Sequence, residues 1–200
     1  MTCWDYSLLD DATGYPNRYN ILMTRVSKLL KSPLVVVIVA TGLILTVALA
    51  YRFTHQLPLA PAESFTLIDG SQVSLADLRG KPVLISFWST TCKICIAKTP
   101  EMNAFYNEMH PRGFEMIAVA MPYDPPTRVV EFSKKLEMPY PVALDHEAKH
   151  VRAFGNVQVT PTNILVTADG HIAWRKHGGL DTKRLRGTIE HMLKEPGAKS

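Results

Sequence analysis

Two cysteines separated by two residues, Cys92-Lys93-Ile94-Cys95, are the groups in this chain best suited to chemistry. Placed one turn apart on a helix, they share a face and can close a disulfide. The apolar run VLISFW (residues 83–88) stands just before them and reads as a strand buried on both faces. Residues 92–110 follow, with Ile96, Met102, Phe105, Tyr106 and Met109 at helical spacing and Pro100 inside the run. The pair therefore falls at a strand-to-helix junction. A thiolate there meets unpaired backbone N–H groups and the positive end of the helix dipole, and both lower its pKa. Only the thiolate attacks a disulfide, so Cys92, nearer the helix start, is the expected nucleophile. Cys95 would resolve the mixed disulfide by attacking the Cys92 sulfur. Lys93 and Lys98 add positive charge beside them.

Other chemistry has weaker support. Half a zinc site also reads C-x-x-C, but it needs two more ligands. The third cysteine, Cys3, is far away in sequence, so no second pair exists. A reduced pair also suits the soft ion Cu(I), which makes a metallochaperone the alternative function. His146-Glu147-Ala148-Lys149-His150 matches the H-E-x-x-H of zinc proteases. It sits at a turn before a short helix, with no third ligand in evidence, and reads as incidental surface histidines. No metal site is expected. His55, His110, His171, His177 and His191 do not cluster in sequence and read as surface positions. Met102 and Met109 read as core filler rather than copper ligands. Gly178-Gly179 lacks the Lys-Ser/Thr ending of a phosphate loop and reads as a turn. A peroxidase needs a proline and a Thr or Ser at fixed offsets before its cysteine; Ser89 supplies one, and no upstream proline supplies the other.

The elements that must position the pair follow from periodicity. FTLIDGSQVSL (residues 65–75) holds two short apolar stretches around Asp69-Gly70, a hairpin signal. A turn over residues 77–82 closes that unit. A second buried strand is expected over 114–121, a helix over 128–136, a brief strand in PVALD (141–145) and a short helix over 148–154. NILVTADGHIAWRKH (163–177) reads as two strands joined at Asp169-Gly170. Asp181 opens a last helix with Leu185, Ile189, Met192 and Leu193 as its apolar stripe. The order is a hairpin, then βαβαβα, then a hairpin and a helix. Crossover helices imply parallel strands and the late hairpin antiparallel ones, so an α/β fold with a mixed central sheet flanked by helices is expected. In Val159-Thr160-Pro161-Thr162 a proline directly precedes a buried strand, which is unusual because proline cannot donate to the ladder.

Between Lys31 and Arg52 no side chain is charged. About 20 helical residues span about 30 Å, the thickness of a bilayer's hydrocarbon core. Arg18, Arg25, Lys28 and Lys31 precede the run and Arg52 follows it, so the N-terminus is expected inside and the remainder outside. The expected organisation is a cytoplasmic segment over 1–32, a transmembrane anchor or signal-anchor over 33–51, a linker over 52–62 and one domain over 63–200. Ala48-Leu49-Ala50 is a small-x-small pattern open to signal peptidase, though the apolar run is longer than most leader cores. Met23 begins a compact basic stretch and is an alternative start, which would remove Cys3. The formal charge of +4 has no run of five like charges behind it, which argues against nucleic acid as a partner.

Taken together, VLISFWSTTCKIC, the following Thr99-Pro100-Glu101, the VTPTNILV loop and strand and the DGHI hairpin tip resemble the TlpA/ResA/DsbE-like branch of the thioredoxin superfamily. The resemblance covers residues 63–193. It implies a thioredoxin fold with an N-terminal β-hairpin extension, preceded by one transmembrane helix. It also implies a cis Thr160-Pro161 bond, whose backbone pairs with an extended substrate strand beside Cys92, and Trp88 as part of the family's F-W pair. Further implications are a single-pass protein of the inner (cytoplasmic) membrane and a domain in the periplasm or other extracytoplasmic space. There it would reduce disulfides in partner proteins, often in cytochrome c maturation, with electrons from a membrane thiol donor. No cofactor beyond the redox-active Cys92–Cys95 disulfide is expected. The chain departs from the family pattern at four places. Thr91 stands where tryptophan is usual, and Lys93-Ile94 where the dipeptide commonly ends in proline. Ser86 replaces the buried Asp of thioredoxins proper, and Lys98 the glutamate of reductive members. Cys95 is therefore expected to lose its proton through water or another group. The potential is expected within the spread of about −270 to −120 mV.

Overall fold

The computed structural model describes residues 33–54 and 57–194. The expectations for residues 1–32, Met23 and Cys3 included, lie outside the described residues. Helix α1 spans Pro33–Thr54, and its stretch Pro33–Tyr51 is long and apolar enough to cross a membrane. Its large apolar side chains, among them Leu34, Leu43 and Ile44, are exposed. The two threonine hydroxyls of that stretch donate back to helix carbonyls, Thr41 to Val37 and Ile38 and Thr46 to Leu43. Such bonds remove the polar groups that hydrocarbon would penalise.

The folded unit begins at Leu57. Its strands are β1 (Ser64–Thr66), β2 (Gln72–Ser74), β3 (Val83–Trp88), β4 (Glu115–Ala120), β5 (Val142–Ala143), β6 (Thr162–Val166) and β7 (Ile172–His177). The helices are α2 (Lys93–Met109), α3 (Pro126–Lys135), α4 (Lys149–Ala153) and α5 (Thr182–Lys194). The central sheet has the order β5-β4-β3-β6-β7; β3, β4 and β5 run parallel, while β6 and β7 are antiparallel to their neighbours. This is the mixed sheet read from the sequence. Helix α3 starts two residues earlier than its apolar spacing suggested. Pro126 occupies the first helical position, where a missing N–H leaves no bond unmade.

Alternate residues of the buried strands face two separate cores. Leu84, Trp88, Met116, Ala118 and Leu165 pack under α2, α3 and α5, which contribute Met102, Phe105, Val129, Leu185 and Ile189. Val83, Ile85, Phe87, Ile117, Val119 and Ile164 face the other way. There the short α4 supplies Val151 and the partly buried Ala153, with Phe154 just beyond its end. The β1–β2 hairpin covers the rest of this face with Phe65 and Leu75. A five-residue helix is too short to cover a five-stranded sheet, and the N-terminal extension completes the cover. The same hairpin shields an edge: Ile68 N–H donates to the Val142 carbonyl at 2.9 Å and Leu144 N–H to the Thr66 carbonyl at 3.1 Å. At the opposite edge, Ile172 N–H donates to Pro58 and Ala60 N–H to Gly170. Residues 58–60, within the stretch read as linker, thus belong to the folded unit.

Ile85 is fully buried at the centre of the sheet. Ile85→Ala should destabilise the domain by about 3 kcal/mol, the sum of lost transfer energy and an unfilled cavity. Urea unfolding should show a lower midpoint with an unchanged slope.

Candidate active site

The end of β3 delivers the chain to the start of α2, and the two cysteines sit at that junction. Cys92 is the N-cap residue of α2, with extended backbone angles (φ −81°, ψ 101°), and its sulfur accepts the Cys95 N–H at 3.2 Å. The two residues are joined by a disulfide, with Cα atoms 5.2 Å apart. An N-cap side chain lies where the first unpaired N–H groups of the helix point. A sulfur held there is stabilised as a thiolate once the disulfide is reduced. Cys92 is half-buried, whereas Cys95 is only 8% exposed. A partner can therefore reach the first sulfur and not the second.

The loop that presents Cys92 is fixed by a carboxylate that the sequence did not single out. Asp124, buried after β4, accepts the Thr90 N–H and the Thr90 hydroxyl, each at 2.8 Å, and the Ser89 hydroxyl at 3.3 Å. Ser89 in turn accepts the Thr91 N–H, and its carbonyl accepts the Cys92 N–H. The available signal was topological: β3 and β4 are parallel neighbours, so the loops leaving their C-terminal ends must lie side by side.

From the opposite side comes the Thr160-Pro161 loop, whose peptide bond is cis. Pro161, Cys95, Trp88 and Lys98 border one small cavity of about 40 Å³. The expected site residues Trp88, Cys95, Lys98 and Pro161 are thus brought together, and Cys92 caps the helix end beside them. Lys93 is exposed to solvent. Ser86, another cavity residue, donates its hydroxyl to Asn163 Oδ1 at 2.8 Å, and Asn163 Nδ2 donates to the Gly178 carbonyl at 3.0 Å. This link ties β3 to the loop after β7 and was not legible beforehand.

Lys98 does not stand alone. Its ammonium donates to Glu101 at 2.7 Å, while Thr182 donates to the other Glu101 oxygen at 2.7 Å. Lys98 first, then Thr182, hold the Glu101 carboxyl below the usual carboxylate range. Lys98 and Cys95 border the same cavity, and a cation near a thiolate favours the reduced form. Lys98→Met should therefore make the couple more reducing, by on the order of 10 mV. That shift follows from about 0.5 kcal/mol for a half-exposed charge and about 30 mV per 1.4 kcal/mol. Equilibration against glutathione measures it.

The H-E-x-x-H segment is corrected in one respect: His150 is buried, not a surface histidine. Its Nδ1 lies 2.8 Å from Glu63 and its ring packs 4.5 Å from that of Phe65. Asp145 accepts the backbone N–H groups of His150 and Val151 and so caps α4. His150 is thus a core residue bonded to Glu63, while His146 remains exposed. Among the described residues no three His, Cys, Asp or Glu side chains converge as a metal site.

A sheet of this order with a helix-capping C-x-x-C beside a cis-proline loop defines a thioredoxin-fold thiol–disulfide oxidoreductase. Residues 57–192 match the Redoxin family model. The thiol-disulfide oxidoreductase ResA of Bacillus cereus is 31% identical over 131 residues, 66% of this chain and 75% of that protein. ResA of Geobacillus thermodenitrificans is 32% identical over 140 residues, 65% and 79% of the two chains. Among solved structures, a proposed thiol:disulfide interchange protein DsbE of Chlorobium tepidum aligns with a TM-score of 0.63 and 26% identity, covering 69% of this chain and 97% of that one. A proposed thioredoxin of Neisseria meningitidis gives a TM-score of 0.65 and 32% identity over 71% and 94%. The chain belongs to the Redoxin family, in the TlpA/ResA/DsbE-like group of the thioredoxin superfamily.

Proposed function

We propose that this protein is a membrane-tethered reductase of disulfides in extracytoplasmic partner proteins, with Cys92 as nucleophile and Cys95 as resolving thiol. The Cys92 thiolate attacks one sulfur of the partner disulfide, and the other partner sulfur leaves as a thiolate. Cys95 loses its proton and attacks the Cys92 sulfur, which releases the second partner thiolate and leaves the Cys92–Cys95 disulfide. Two electrons have passed to the partner. A thiol carrier in the membrane restores the dithiol by the same exchange in reverse, and no further cofactor enters the cycle. The Thr160-Pro161 loop receives the partner as an extended strand, with Lys93 at the rim and Trp88 and Lys98 behind. Helix α1 anchors the chain in the cytoplasmic membrane with its N-terminus inside, and maturation of c-type cytochromes is the setting that the resemblance favours.

The observation that carries this reading is the reachable sulfur capping α2 while its partner sulfur is withdrawn beneath the cis-proline loop. The test uses full-length protein in intact cells. After mild reduction, a membrane-impermeant maleimide should label Cys92 from outside, and the purified protein should reduce insulin with dithiol as electron source. Labelling only after lysis would overturn the orientation. One equivalent of tightly held Cu(I) without insulin reduction would overturn the enzyme reading in favour of a metal carrier.

A further inference from the structure

The cis-proline loop is held from behind by a chain of hydrogen bonds that ends on His177. The Thr162 hydroxyl donates to the Val159 carbonyl at 2.6 Å and also lies 2.9 Å from His177 Nδ1. A hydroxyl has a single hydrogen, and a carbonyl can only accept. That hydrogen is committed to Val159, so His177 Nδ1 must carry a proton and donate to Thr162. The chain of donation runs from His177 to Thr162 to Val159, and it selects the Nδ1–H tautomer of the neutral ring.

The end of this chain matters because of peptide geometry. The Val159 carbonyl and the Thr160 N–H belong to one planar unit and point in opposite directions. Fixing the carbonyl therefore aims the N–H. Neither the N–H nor the carbonyl of Thr160 is hydrogen-bonded within the protein among the described residues. Other bonds hold the far side of the turn: Gly178 N–H donates to the Pro161 carbonyl at 2.8 Å, and Asn163 holds Gly178. None of these reaches Val159, a residue that is 54% exposed.

We propose that His177 is a substrate-positioning residue: its Nδ1–H, relayed through the Thr162 hydroxyl, aims the Thr160 N–H at the backbone of a partner's extended segment. This rests on the reading of the Thr160-Pro161 loop as the surface that receives the partner. None of the hydrogen bonds in the chain involves a sulfur, so the role is visible in partner capture and not in the redox couple.

The test measures kcat, KM and the Cys92–Cys95 potential of the full chain in detergent, with insulin and with a small aromatic disulfide as substrates. His177→Asn keeps an N–H donor where Nδ1 stands; His177→Asp is nearly the same size but can only accept. His177→Asp and His177→Leu should raise KM for insulin about fivefold, the size expected for one neutral hydrogen bond. The kcat, the potential and the KM for the small disulfide should not change. His177→Asn should stay within about twofold of the parent, and Thr162→Val should reproduce His177→Leu without adding to it. Equal KM values for the Asn and Asp variants would overturn the proposal, and the comparison stands even if His177→Leu does not fold. Should Cys92→Ser retain exchange activity, the underlying reading fails. Should Cys92→Ser be inactive while every His177 variant matches the parent, only the role of His177 fails.

Discussion

Cys92→Ser should reduce insulin no faster than background, whereas Cys95→Ser should accumulate partner proteins in disulfide linkage to Cys92. The two substitutions are alike in chemistry and opposite in outcome because the two sulfurs occupy different places. Cys92 caps α2 and is partly open to solvent; Cys95 lies one turn in, almost wholly buried. At the cap, backbone N–H groups and the helix dipole lower the thiol pKa from its usual value of about 8.5. A lowered pKa enlarges the thiolate fraction at neutral pH, and only the thiolate attacks. Serine in that place is not ionised and attacks no disulfide, so the loss should exceed about a thousandfold. With Cys95→Ser the first exchange still proceeds, but nothing resolves the product. Non-reducing gels of membranes from cells making this variant should show discrete adducts that collapse with dithiol. Iodoacetamide should alkylate Cys92 of the reduced parent well before Cys95. Equal reactivity of the two thiols would contradict the assignment of roles.

Asp124→Ala should be the most damaging single change outside the hydrophobic core. The substitution leaves the Thr90 N–H and two hydroxyls, all buried, without their shared acceptor. Hydrogen bonds to a carboxylate contribute about 1.5–3 kcal/mol each, and an orphaned buried N–H adds its own desolvation penalty. A loss of about 3–4 kcal/mol in urea unfolding of the oxidised protein is expected. Asp124→Asn keeps one oxygen acceptor and should lose about half as much. The effect should reach the chemistry too, since the Ser89 carbonyl that holds the Cys92 N–H belongs to the same loop. Slower alkylation of Cys92 in Asp124→Ala, at a urea concentration where the protein remains folded, would separate this from simple unfolding. An Asp124→Ala variant as stable as its parent would show that the buried carboxylate does not hold the loop.

What could be read from the sequence was whatever is periodic or local. The six-residue apolar strand, the Asp-Gly turns, the helix that starts at the cysteines and the spacing between them all lie within a few residues of one another. The residues that escaped notice act across the chain: Asp124 meets Thr90 34 positions away, Asn163 meets Ser86 at 77, and Glu63 meets His150 at 87. No periodicity encodes such pairs, because a buried polar group is satisfied by whichever element the topology brings beside it. His150 shows the consequence. Judged by its neighbours it is one histidine of a metal motif or an exposed one, and only the fold supplies Glu63. The hairpin at residues 64–74 was legible as a hairpin, but its task of covering the face that α4 leaves open was not.

The withdrawn position of Cys95 has one more implication, for timing. In the proposed cycle a captured protein would sit on Cys92 until the Cys95 sulfur ionises, in a niche walled by Trp88 and Pro161. The host sets when the Cys95 attack can begin, and the client's own leaving thiol sets the rest. Clients whose leaving thiols share one pKa should arrive at different speeds and depart at a common one.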